Sequence, residues 1–196
     1  MGSEPGLAQN RSGKESPTEE VISVYPDDFY DQLKGRLRER IAKELRSADR
    51  VLDMGCGSCE LAHFLARRNG QRVIGVDVSD GSFPASDHKD SRVECRQGNA
   101  EKLAFLQDGS VDAVVSVHSM HEIDHPVKAL KEARRVLRSG GRMLVVDFPK
   151  DSLAQRLWNE DYFTSRRLSR VLKLGGFTCV LVELIENRQL MWATAE

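Results

Sequence analysis

The 196-residue chain is short of several things, and each shortage excludes a class of function. It has no surplus of either charge: 29 Lys and Arg stand against 30 Asp and Glu, a formal net charge of −1. Attachment to nucleic acid or to an acidic membrane by bulk charge is therefore not expected. No apolar run approaches the ~20 residues that a membrane-crossing helix needs. The first residues lack a basic stretch followed by an apolar core, so no secretory signal is read. Gly6 stands where a myristoylated Met-Gly start has Ser or Thr. Cysteines number only four: Cys56, Cys59, Cys95 and Cys179. Without an export signal they are expected as reduced thiols in a cytoplasmic protein. Cys56 and Cys59 form a Cys-x-x-Cys pair, but no second pair stands at metal-site spacing, so no thiol role is assigned.

What is present suffices for one well-buried domain. Residues 1–20 are rich in Gly, Ser, Pro, Glu and Lys and are expected to be a disordered tail, with the domain over 21–196. Asn10-Arg11-Ser12 matches a glycosylation acceptor and, with no export signal read, is expected to be a chance match. Phe29, Leu33, Leu37, Ile41 and Leu45 recur every four residues and predict an amphipathic helix over 27–46, opened by Pro26. Strands are then predicted at 51–54, 72–76, 92–96, 111–117 and 142–146, and helices at 60–68 and 126–137. Ser139-Gly140-Gly141 is read as the glycine cap of the second of these helices. Such alternation argues for a parallel sheet covered on both faces. A further helix over 164–174 is stopped by Gly175-Gly176. Two β-rich runs follow, 177–186 and 188–194, and a link as short as Asn187 requires an antiparallel hairpin.

The chemistry concentrates at Val51-Leu52-Asp53-Met54-Gly55-Cys56-Gly57. A strand ends in a glycine turn and a helix begins at Glu60, so backbone and helix-end amides can approach a ligand. Asp77 ends the next strand 22 residues after Gly55, where a carboxylate can accept from both hydroxyls of a ribose. A dinucleotide and S-adenosylmethionine both fit that much. The dinucleotide turn has a third glycine where this chain has Glu60, and a carboxylate there would repel a pyrophosphate.

These segments resemble the class I S-adenosylmethionine-dependent methyltransferases. Asp53–Gly57 is similar to their first motif and Val76-Asp77 to their second. Residues 98–105 resemble the adenine-binding motif, 111–116 the fourth strand, and 129–142 the helix and turn before the fifth. The resemblance implies a Rossmann-like three-layer α/β sandwich whose seven-stranded, mostly parallel sheet ends in an antiparallel hairpin. It implies S-adenosylmethionine as cofactor and S-adenosylhomocysteine as product. Gly55, Cys56 and Gly57 would lie against the methionine part, and Asp53 would brace the turn and the amino group. Asp77 would hold the ribose, followed by Val78; Asn99 and the Ala100 amide would meet the adenine; Val117 and His118 would close the set from the fourth strand. The family usually has Asp at position 99 and often Gly at position 59. It also has a clear helix where this chain has Gly81, Pro84 and a polar run.

Three of the five histidines fall in Val117-His118-Ser119-Met120-His121-Glu122-Ile123-Asp124-His125, beyond the fourth strand. His118, His121, Glu122, Asp124 and His125 do not have the spacing of a strong zinc pattern, and no metal is expected. His121 is the candidate general base for a substrate hydroxyl or amine. Trp158, Tyr162 and Phe163 are expected to pack beneath the brief connection after the fifth strand. Arg166, Arg167, Arg170 and Lys173 are read as a solvated basic face. The expected activity is methyl transfer, with a small molecule favoured as acceptor. RNA or protein acceptors, a non-catalytic partner subunit and a nicotinamide dehydrogenase are the competing readings.

Overall fold

The computed structural model describes residues 28–84 and 90–196. The expected tail, Asn10 and Pro26 lie outside these residues, as does part of the polar run after Gly81. Helix α1 (Phe29–Glu44) leads into β1 (Arg50–Met54), α2 (Glu60–Asn69), β2 (Arg72–Asp77), β3 (Val93–Gln97) and β4 (Val111–Val117). Then come α3 (Pro126–Val136), β5 (Leu137–Asp147), α4 (Leu153–Trp158), α5 (Ser165–Leu174), β6 (Val180–Ile185) and β7 (Leu190–Ala195). The sheet has seven strands in the order β3-β2-β1-β4-β5-β7-β6. β1 to β5 pair in parallel, and β7 pairs antiparallel with both β5 and β6. The predicted fold class is the one observed.

Two-residue alternation sorts the strands onto two cores. On β5, Met143 and Val145 face α3 and α5 through Leu130, Leu168 and Leu172, whereas Leu144 and Val146 face the opposite layer. There α1 contributes Leu33, Leu37 and Ile41, and α2 contributes Ala62 and Leu65. Each such fully buried Leu or Val stabilises the fold by about 1.5–3 kcal/mol. α1 is thus part of the body and covers one end of the sheet.

Four expectations need correction. α3 ends at Val136, and Ser139-Gly140-Gly141 lies inside β5 at a register shift opposite β4, with Gly140 at φ +72°. A Cβ at Gly141 would come 2.9 Å from the Asp112 carbonyl, so close strand packing, and not a helix cap, requires that glycine. The hairpin link is longer than Asn187: residues 186–189 form the loop, with Glu186, Asn187 and Arg188 all left-handed. The connection after β5 carries a helix of its own, α4. Finally, Cys59 and Cys95 are joined as a disulfide, where reduced thiols were expected. β3 lies beside β2, which brings Cys95 to the first turn of α2. By contrast, Gly175-Gly176 stops α5 as predicted: the Phe177 amide donates to Leu172 O and the Gly176 amide to Lys173 O.

Candidate active site

Strand order reverses between β1 and β4, which opens a crevice at their carboxyl ends. Two cavities of about 350 and 180 Å³ occupy it. The first is floored by the β1–α2 turn and walled by α1, with Asp53, Gly55, Cys56, Gly57, Val117 and His118 in its lining. The second runs past Val78, Asn99 and Ala100. Asp77 faces both. All ten residues predicted for the cofactor therefore meet in one crevice.

The turn is built for close approach. Gly55 and Cys56 donate their amides to Val76 O at 2.8 and 3.1 Å, locking the turn to β2. Gly55 has φ +75°, and a Cβ there would collide with the Ser119 side chain. Gly57 has φ +49° and faces open space. Its amide donates to Asp77 Oδ2 at 2.8 Å, and the Ser79 amide to Oδ1 at 3.1 Å. Each carboxylate oxygen keeps a further lone pair for a ribose hydroxyl. Asn99 Oδ1 accepts from the Glu101 amide at 2.7 Å, which orders the loop around the second cavity. Cys59, where relatives often have glycine, is the left-handed residue that caps α2. Gly75 on β2 makes room for it, since a Cβ there would come 2.8 Å from Cys59 Sγ and 2.9 Å from Cys56 Sγ.

Asp53 is 2% exposed, and its Oδ2 has no hydrogen-bond partner among the described residues. Burial first, then the charge of Asp77, raises its pKa to about 7. A buried carboxylate without a partner suits a cation placed over it. Val78 is 69% exposed, an apolar side chain left open at the second cavity. The amino group and the adenine of S-adenosylmethionine match these two features, so the residues present fit that cofactor.

The segment after β4 begins with a left-handed residue, His118, whose ring stacks on Phe148 with centroids 4.2 Å apart. Burial lowers its pKa to about 4, so it is neutral. Met120–Glu122 forms a single 3-10 turn. Side chains in such a turn point about 120° apart, because it has ~3 residues per turn. Met120 enters the core, His121 turns toward β5 and Glu122 faces the crevice. His121 Nδ1 lies 2.7 Å from Asp147 Oδ1, and its Nε2 lies 2.7 Å from Glu160 Oε2. Burial opposes the imidazolium, but the bond and charge of Asp147, then the bond to Glu160, outweigh it and raise the pKa. His121 lines neither cavity. Its ring packs on buried Tyr162, at 4.4 Å between centroids. Tyr162 and Phe163 are buried as expected, while Trp158 is half exposed and leans on Tyr30 and Phe148. Of the basic face, Arg167 pairs with Asp161 and covers the Phe163 ring.

Sequence reasoning missed Asp147, Ser119, Glu160 and the Lys34 and Arg38 wall of the first cavity. Asp147 had a signal, a carboxylate ending an apolar strand. Glu160 had none.

The methyltransferase-domain family matches residues 52–145. Residues 52–145 thus match a methyltransferase domain. The chain is 34% identical over 126 residues to 27-O-demethylrifamycin SV methyltransferase of Amycolatopsis mediterranei, covering 60% of this chain and 46% of that protein. It is 32% identical over 143 residues to the ubiquinone/menaquinone biosynthesis C-methyltransferase UbiE of Pseudomonas putida, covering 66% and 56%. The chain thus spans about half the length of these curated relatives. Among solved structures, the PH0226 protein of Pyrococcus horikoshii superposes with a TM-score of 0.70 over 92% of this chain and 99% of that one. At 22% identity that likeness speaks for the fold alone. No helix among the described residues is long and apolar enough to cross a membrane.

Proposed function

We propose that this protein transfers the methyl group of S-adenosylmethionine to a small-molecule acceptor, with His121 as the base. The observation that carries the cofactor half is the unpartnered, buried Asp53 carboxylate beneath the glycine turn, beside Asp77. The turn amides and Asp53 would hold the methionine part, Asp77 the ribose, and Val78, Asn99 and Ala100 the adenine. When bound, the cofactor supplies a methyl already activated on a sulfonium. The chain's residues then have to position the acceptor and, for an oxygen or nitrogen acceptor, remove a proton.

Asp147 fixes the imidazole of His121 by taking Nδ1, which leaves Nε2 for the acceptor's proton. Glu160 holds Nε2 in this structure, so a hydroxyl or amine reaching His121 would take the place of Glu160. Both curated relatives are named for chemistry on small organic molecules, which supports the same acceptor class here.

The test is transfer of label from S-adenosylmethionine into small-molecule, RNA and protein pools, with His121→Ala beside the wild type. Label is expected in small molecules, and kcat of the variant should fall by about 10²–10⁴. Label confined to RNA or protein would overturn the acceptor class. Unchanged turnover in His121→Ala would remove it as the base.

A further inference from the structure

Four residues line both cavities: Gly55, Asp77, Ser119 and Glu122. A ligand that fills the two cavities passes from one to the other along this shared wall. Gly55 and Ser119 pack on each other, with Ser119 Oγ donating to Met54 O at 2.9 Å, so they offer no charge. Asp77 already accepts two backbone amides and is the ribose acid of the reading above. That leaves the Glu122 carboxylate. The 3-10 turn that presents it buries Met120 completely and ties the His121 amide to Asp147 Oδ2 at 3.1 Å, and Glu122 Oε1 lies 3.9 Å from His121 Nε2.

The middle of S-adenosylmethionine, between its amino-acid and nucleoside ends, is the sulfonium. We infer that Glu122 is the residue that reads the charge on the cofactor's sulfur, favouring the sulfonium of the methyl donor over the neutral thioether of the product. The inference rests on the cofactor reading proposed above. It gives Glu122 a role that neither His118 nor His121 can take: His118 is neutral, and His121 faces Asp147 and Glu160 outside the cavities. Burial, more than the charges of Glu160, Asp147 and Asp77, pushes the Glu122 pKa up, while His121 opposes that shift. A cation at the shared wall opposes that shift and favours the carboxylate. Once the methyl has left, the sulfur is neutral and this attraction is gone, which favours exchange of product for fresh donor.

The two molecules share their amino, carboxyl, ribose and adenine groups, so the ratio of their dissociation constants isolates the sulfur. Calorimetric titration of the wild type with S-adenosylmethionine and with S-adenosylhomocysteine is compared with Glu122→Gln and Glu122→Lys, folding of each variant being checked by thermal unfolding. The Glu122 side chain is 65% exposed, so solvent screens the effect. Glu122→Gln should lower the donor-to-product preference by about two- to fivefold through weaker donor binding, with product affinity unchanged. Glu122→Lys should lower it further. Asp124→Asn, an acid of the second cavity alone, should leave the ratio as it is. Equal losses for both ligands, or an unchanged ratio in both Glu122 variants, would overturn the inference. Failure of the wild type to bind either ligand would bring down the cofactor reading, and this inference with it.

Discussion

The two halves of the crevice are built differently. In the cofactor half, strand ends and backbone amides make the contacts: Gly55, Cys56 and Gly57 lock to Val76 and Asp77 within one β-α-β unit. In the acceptor half, side chains from separate segments meet: His121 beyond β4, Asp147 at the end of β5, Glu160 after α4, and Tyr30 from α1 against Trp158. The first half is held by the geometry of the sheet. The second depends on a connection that can differ without disturbing the sheet, and under the proposed function it is where an acceptor would be chosen.

Asp53→Asn should separate the halves most strongly. The raised pKa of Asp53 means that the folded state favours its protonated form. The sign follows: ionising Asp53 costs the unliganded fold stability as pH rises from about 4 through about 7. Asp53→Asn removes that cost, so urea denaturation at pH 8 should find the unliganded variant more stable by about 1–3 kcal/mol. Its affinity for S-adenosylmethionine should fall by about tenfold or more, and the rise of affinity with pH near neutrality should vanish. Equal pH dependence in both proteins would contradict this account of Asp53.

Gly75→Ala strikes the same half through packing. Its Cβ would press on the sulfurs of Cys56 and Cys59, and an over-packed site of this kind costs about 1–3 kcal/mol. Thermal unfolding should show the loss, and adding Cys56→Ala should recover part of it. No recovery would mean that the strand, and not the sulfurs, resists the methyl.

Glu160→Gln should have the smallest effect and leave the cofactor half alone. Removing that carboxylate lowers the His121 pKa, because it takes away one of the groups that hold the imidazolium. The pair stabilises the fold only while His121 is charged, fully below about pH 6.5 and less as pH rises through the folded-state pKa. The loss in the variant should therefore be under about 1 kcal/mol at pH 6 and fade as pH rises through the folded-state pKa, since Glu160 is 44% exposed and screened. NMR titration of the His121 ring reads the direction directly. An unmoved ring titration would break the link between the two residues.

The same contrast explains what the sequence could tell. Asp53, the glycine turn and Asp77 fall within 25 residues, so spacing pointed to the turn and to Asp77, the family resemblance added Asp53, and alternating strands and helices argued for the parallel sheet. Ser139-Gly140-Gly141 was misread because glycines suit a helix cap and a strand irregularity equally; pairing with β4 decides between them. The disulfide was out of reach because Cys95 is 36 residues from Cys59 and joins it only through sheet order. Glu160 stands 39 residues from His121 in an irregular stretch, and no periodicity points to their meeting. The left-handed backbone at Glu186 and Arg188 has no signal in residue types that usually avoid it.

We place S-adenosylmethionine in the crevice at β1 and β2, anchored by Asp77. Calorimetric titration of the wild type and of Asp77→Ala with S-adenosylmethionine, and of the wild type with NAD, tests it most directly. Saturable one-to-one binding of S-adenosylmethionine is expected, weakened about tenfold or more by Asp77→Ala, with no binding of NAD. Equal affinity in the two proteins, or binding of NAD in place of S-adenosylmethionine, would contradict the account.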